Sequence, residues 1–143
     1  MTVTITPQNM QEVERALREH GEKAVRAIGA AVQASALEIT TDIKKRVQRG
    51  PATGRTYTRG AVSHQASAPG EAPATDSGGL ASSINYSKKA PMTAEIESRL
   101  PYATYLEFST SRIAPRPSWV PAVEKYSPKF QLRITTAIAR LTR

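Results

Sequence analysis

Asp76, Glu95 and Glu97 are the carboxylates best placed for reaction chemistry, because acids gathered at one point can hold a divalent cation and activate water against a phosphodiester. Glu95 and Glu97 stand two residues apart and share one face of a strand. A solvated strand face accounts for them equally well. The two histidines, His20 and His64, are 44 residues apart, and no further ligands are spaced around either as a metal site needs. No Gly-rich phosphate loop, nucleophile elbow or His–Asp pairing is present. There is no cysteine, so neither a disulfide nor a thiolate centre is available. These residues predict a protein that is not an enzyme, with no catalytic residue, no metal and no cofactor.

Other polar residues suit structure or recognition. Asp76 can cap a helix starting at Ser77 or Gly78 by accepting backbone N–H bonds, or fix its loop for a neighbour. Glu107 and Arg112 can brace a turn as an ion pair, or stand solvated, where a surface pair contributes only about 0–1 kcal/mol. Arg116, between Pro115 and Pro117, belongs to the same turn. Tyr102, Tyr105 and Phe108 supply core or interface surface. Trp119 anchors the last helix to a sheet or serves a subunit contact, where Trp is enriched.

The formal charge is +8. It divides as +2 over residues 1–49, +2 over 50–92 and +4 over 93–143. The excess is spread, with one local run at Lys44, Lys45, Arg46 and Arg49. Such a run suits a solvated helix end, where cations favour the macrodipole, or proximity to a polyanion such as DNA. Arg55, Arg59, Lys88 and Lys89 are the candidates for facing DNA. Aromatics are not interleaved with the basic residues, so base stacking on single strands is not indicated.

The elements follow from apolar spacing. Residues 2–6 alternate Thr and apolar residues, as in a short strand or arm. Thr6 reads as an N-cap with Pro7 at the first helical position. From Met10 to Val47 the apolar steps are three and four. Unbroken to Arg49, that helix would span about 60 Å, so a break is predicted near His20 and Gly21. Residues 1–21 are then an arm and short helix, and 22–49 a long helix with a small-residue surface. Residues 50–79 are rich in Gly, Pro, Ser, Thr and Ala and read as a long flexible loop ordered by a partner. Residues 80–109 hold a helical turn, an antiparallel hairpin of Ile84–Ser87 with Thr93–Leu100, and a short helix. Residues 110–143 form a C-terminal helix, with a kink or break at Pro128 and a basic outer face at Lys129, Arg133, Arg140 and Arg143. The chain is a single α+β domain: a long N-terminal helix and a C-terminal helix packed on a small antiparallel sheet. No run of about 18 apolar residues and no signal peptide are visible, so synthesis in a cytosol without membrane insertion is expected.

Two segments resemble the tail-completion or neck proteins of long-tailed bacteriophages, a minor tail-component family. Gly54-Arg55-Thr56-Tyr57 followed by His64 to Leu80 is similar to that family's loop leading into an Asp-Thr-Gly-x-Leu motif. Tyr102 to Pro117 is similar to its Tyr-Ala-x-Tyr-x-Glu-Phe-Gly-Thr run and the Ala-Arg-Pro element after it. Ser77 stands for the usual Thr, Gly79 for a commonly basic residue, and Ser109 for the usual Gly, where a positive φ would strain it. The resemblance covers about residues 25–140. It implies a structural virion protein that completes the tail or neck at the head–tail junction. Its form would be a homo-oligomeric, hexameric ring around the DNA channel, in transient non-specific contact with genomic DNA. The implied partners are the head connector or stopper and the tail terminator or tail tube. The competing readings are a tail terminator, a stand-alone non-specific DNA-binding protein and a metal-dependent nuclease.

Overall fold

The computed structural model describes all residues from Met1 to Arg143. The elements run β1 (Thr2–Ile5), α1 (Met10–His20), α2 (Glu22–Arg49), β2 (Thr56–Arg59), β3 (Val62–Gln65), α3 (Gly79–Ser83), β4 (Ile84–Ala90), β5 (Thr93–Ser98), α4 (Tyr102–Phe108) and α5 (Trp119–Leu141). β1, β5 and β4 form one antiparallel sheet with β5 in the middle, while β2 and β3 form a separate antiparallel hairpin. The fold is therefore α+β, with both long helices in the predicted places.

Cross-strand partners share a face of the sheet. Val3 opposite Ile96, Ile5 opposite Ala94 and Ile84 opposite Ser98 mark the face turned to α2. Ala94, Ile96 and Ser98 are buried, as the alternation in β5 predicts, and Glu95 and Glu97 lie on the opposite face. The second long layer is α5, so α2 is packed by the sheet and by α5. Its 28 residues extend about 42 Å, and its buried positions include Ile28, Val32, Ile39, Ile43 and Val47. Steps of three and four keep these on one broad side. Each such aliphatic side chain stabilises the fold by roughly 1.5–3 kcal/mol through burial.

Gly21 separates α1 from α2 with φ of 50°, a left-handed conformation open to glycine. The break is where the interrupted apolar pattern predicts it. The first turn of α1 differs from expectation. Helix begins at Met10 with Asn9 preceding it, so Thr6 and Pro7 lie in the connection from β1 and do not cap. At the other end, α5 runs unbroken through Pro128. Pro128 removes one N–H from the helix, and the packing of Tyr126, Phe130 and Ile134 against the core holds the helix across that gap.

The basic face predicted for α5 is also revised. Lys129 and Arg133 are turned to α2, where Glu38 accepts from Lys129 Nζ at 2.6 Å and Arg133 Nη2 at 2.9 Å. One turn along, Asp42 accepts from Arg46 Nε at 2.6 Å and Lys125 Nζ at 2.9 Å. Arg133 Nη1 also donates to the buried Ser35 hydroxyl at 2.6 Å. The hydrogen bond from Lys129 holds the Glu38 carboxyl below its ordinary range, against opposing desolvation and with help from Arg133. For Asp42, desolvation pushes upward, but the bonds from Arg46 and Lys125 together outweigh it and the net direction is down. Carboxylates with depressed folded pKa values stabilise the fold fully above their unfolded values near about 4, and lose that contribution as pH falls through the folded values. The melting temperature should therefore fall on acidification below about pH 4. A Glu38→Gln, Asp42→Asn double variant should melt lower at neutral pH and show a shallower acid fall, as read by calorimetry across pH.

Candidate functional site

The turn after α4 organises the molecule. α5 begins with three free backbone N–H groups and no side-chain cap from Ser118, which leaves orphan donors that need a partner. Glu107 supplies it from α4. Its Oε2 accepts from Ser118 N at 2.8 Å and Trp119 N at 3.0 Å, and its Oε1 accepts from Trp119 N at 3.1 Å and Val120 N at 2.7 Å. The residue is 4% exposed. An anion here also meets the positive end of the α5 dipole.

This arrangement overturns the proposed Glu107–Arg112 pair. Glu107 is turned inward, and Arg112 stands exposed in a turn where Thr110 Oγ1 accepts from its backbone N–H. No local pattern announces this cap, because Glu107 lies 12 residues ahead of α5 and Ser118 is itself a residue type that normally caps.

Arg116 ties this turn to the preceding long segment. Its Nε and Nη2 both donate to the Ser67 carbonyl at 3.3 Å, and Gly70 N donates to the Pro115 carbonyl at 2.9 Å. Ser67 is buried. The two motifs singled out from sequence therefore meet in space, around a cavity of about 310 Å³ lined in part by Tyr57, His64, Asp76, Tyr102, Leu106 and Arg116.

Residues 50–79, expected as a long flexible loop, carry regular structure not foreseen in that segment. They contain the β2–β3 hairpin, closed by the two-residue turn Gly60-Ala61 with Gly60 at φ of 61°. A Gly-x pair between the alternating runs Thr56-Tyr57-Thr58 and Val62-Ser63-His64 was the available signal. Glu71 closes the base. Its carboxylate accepts from the Thr53 hydroxyl and from the backbone N–H of Thr53 and Ala68 at 3.1 and 2.8 Å. The Thr53 hydroxyl, and then these amides, hold its pKa below the ordinary carboxylate range. Sequence reasoning passed over Glu71 because a single acid in a polar loop carries no periodic signal.

Asp76 does not cap α3. Gly78 occupies the N-cap position with φ of 77° and has no side chain with which to cap; its own N–H donates to Thr75 Oγ1 at 2.9 Å. Asp76 lies two residues earlier, and its carboxylate faces Arg59 at 3.5 Å and His64 at 3.7 Å, a His–Asp pairing that the sequence did not suggest because the two residues are brought together by the β2–β3 hairpin. Nor do the candidate acids converge: Glu95 pairs with Lys89 at 3.4 Å and Glu97 with Arg99 at 3.5 Å. No three His, Asp or Glu side chains are grouped so as to hold a metal ion. Of the residues suggested to face DNA, Arg59 and Lys89 have acidic neighbours, while Arg55 and Lys88 are exposed without one.

The aromatic residues divide sharply. Trp119 is buried at 2% exposure, whereas Tyr102, Tyr105 and Phe108 are 45, 52 and 61% exposed. Their spacing of three places them along one side of α4, opposite the buried Ala103 and Glu107. Phe108, Val120 and Val123 continue into a largely apolar recess of about 410 Å³ beside β1. Ser109, next in the chain, has φ of 71° and ψ of 171° and is the one non-glycine residue with positive φ. That conformation belongs to glycine and costs another residue roughly 1–3 kcal/mol. Ser109→Gly should therefore raise stability by about 1 kcal/mol after the added freedom of the unfolded chain is offset, as read from denaturant midpoints.

No helix is long and apolar enough to cross a membrane. Comparison with curated proteins and with solved structures returns no match. One family does match, over residues 7–108, under the description "Bacteriophage HK97-gp10, putative tail-component". The matched span runs from just before α1 to the end of α4 and includes the first motif segment and the Tyr102–Phe108 part of the second. The chain thus belongs to the HK97-gp10-like family of bacteriophage tail components, a structural protein of the virion.

Proposed function

We propose that this tail component completes the tail or neck at the head–tail junction, as a homo-oligomeric ring, hexameric in form, around the DNA channel. The observation that carries this reading is the exposed aromatic edge of α4. Folding leaves Tyr102, Tyr105 and Phe108 uncovered, while the buried Glu107 on the opposite side ties α4 to the start of α5. An apolar edge that is both exposed and held in place suits assembly. The protein has no catalytic step of its own. Its neighbours are the head connector or stopper on one side and the tail terminator or tail tube on the other. Exposed cations such as Arg55 and Lys88 neutralise phosphate without reading bases.

Light scattering at rising protein concentration, with electron microscopy, is expected to show a defined oligomer and rings. DNA binding should be weak, salt-sensitive and indifferent to sequence. Tight DNA binding by a persistent monomer would favour a stand-alone DNA-binding protein. Cleavage of DNA that requires a divalent metal and is lost in Glu95→Ala or Asp76→Ala would overturn the non-enzymatic reading. Immunogold labelling of finished particles should mark the head–tail junction; label elsewhere on the tail would refute the placement.

A further inference from the structure

We infer that copies of this chain join head to tail through two different surfaces: the aromatic ridge of α4 with the start of α5 in one copy, and the groove between α2 and α5 in the next. The inference rests on the oligomeric reading above and specifies which faces meet.

The ridge is exposed and largely apolar, and it borders the recess beside β1. Tyr105 and Phe108 project from α4, and Val120 lies beside Phe108 at 41% exposure. Its border carries the exposed Glu124, which has no cationic partner. The one cation of that recess, the Met1 ammonium, is already bonded to the Ser98 carbonyl at 3.1 Å.

The groove is the complement in shape and sign. It is a depression of about 480 Å³ whose floor is small, with Ala30 and Ala34 from α2 and Ala137 from α5, and whose wall is Leu132, 66% exposed. Arg133 and Arg140 line it, and no acid does. Arg133 is committed to Glu38 and Ser35, which leaves Arg140 as the open charge. A projecting aromatic pair fits a trough floored by alanine, and Glu124 meets Arg140 across the joint. The two surfaces share no residue, one using the first turns of α5 and the other its last turns. Their union is heterologous, the type of contact that closes into rings.

The absence of cysteine permits a clean test in the full chain. A Tyr105→Cys, Ala34→Cys double variant, oxidised at a concentration where the wild type associates, should give a ladder of covalent multimers on denaturing gels. Neither single variant should give a covalent dimer. A dimer from either single variant would show a self-pairing contact and overturn the inference. Charge reversal supplies the second arm. Glu124→Arg and Arg140→Glu should each weaken association about tenfold, and the two together should restore it. All variants sit on exposed positions, and unchanged melting temperatures would confirm intact folding. Wild-type oligomers with no ladder and no charge rescue would refute this pairing of faces while leaving the ring intact. No oligomer of the wild type at any concentration would refute both.

Discussion

Replacing Glu107 with alanine should destabilise the protein by about 3 kcal/mol or more, the largest loss expected from any single polar residue. Three consecutive backbone amides, of Ser118, Trp119 and Val120, donate to this one carboxylate. Removing it leaves buried donors unsatisfied, at a cost of roughly 1–3 kcal/mol each where water cannot replace the oxygen. Glu107→Gln keeps one acceptor oxygen and most of the shape but loses the charge, so its loss should be smaller, about half. Glu107→Asp is one methylene shorter and should resemble the alanine variant more than the glutamine one. Urea denaturation followed by the fluorescence of Trp119 is the direct measurement, since this Trp is the sole one in the chain and its own amide is among the donors. Equal midpoints for wild type and Glu107→Ala would mean that water enters and serves the cap.

The second large effect is expected at Gly29. A Cβ built on this residue would lie 2.3 Å from the carbonyl oxygen of Pro91, at the turn joining β4 to β5. Contacts that short do not persist, and the obstacle is backbone, so no side-chain rotation relieves it. In Gly29→Ala the helix or the hairpin must shift, at a cost of about 3 kcal/mol. The ordinary helical preference for Ala over Gly, about 1 kcal/mol, works the other way and is outweighed. Thermal unfolding of Gly29→Ala should show a clear drop. An Ala30→Gly control on the exposed side of α2 should lose only the propensity difference.

These two residues also show what the sequence disclosed and what it did not. The period of three and four in α2, the alternation in β5 and the break at Gly21 were legible because each depends on local spacing that burial enforces. The small-residue surface of α2 signalled a close approach, and Gly29 under Pro91 is where one occurs. The role of Glu107 was out of reach. Its partners lie 11 to 13 residues away, and only the turn at Ser109 to Pro117 decides that the carboxylate points inward and not to Arg112. Asp76 failed for a related reason: a left-handed Gly78 moves the cap position beyond its reach. Residues 50–79 misled through composition, since loop-like content conceals a hairpin whose strands are four residues each. The candidate site was half visible. The motif segments were identified, but their meeting through Arg116 and Ser67 is a long-range event with no local signature.

The fastenings at the base of the β2–β3 hairpin have a mechanical consequence. Glu71 grips Thr53 and Ala68, and Arg116 grips Ser67, so the hairpin stands on a stem fastened at its root by both motif segments. It behaves as a lever and not as a tether. A tether must surrender its freedom whenever its tip is captured; a lever has surrendered it beforehand, during folding. Whatever meets the tip at Gly60 and Ala61 encounters it at a set reach and bearing.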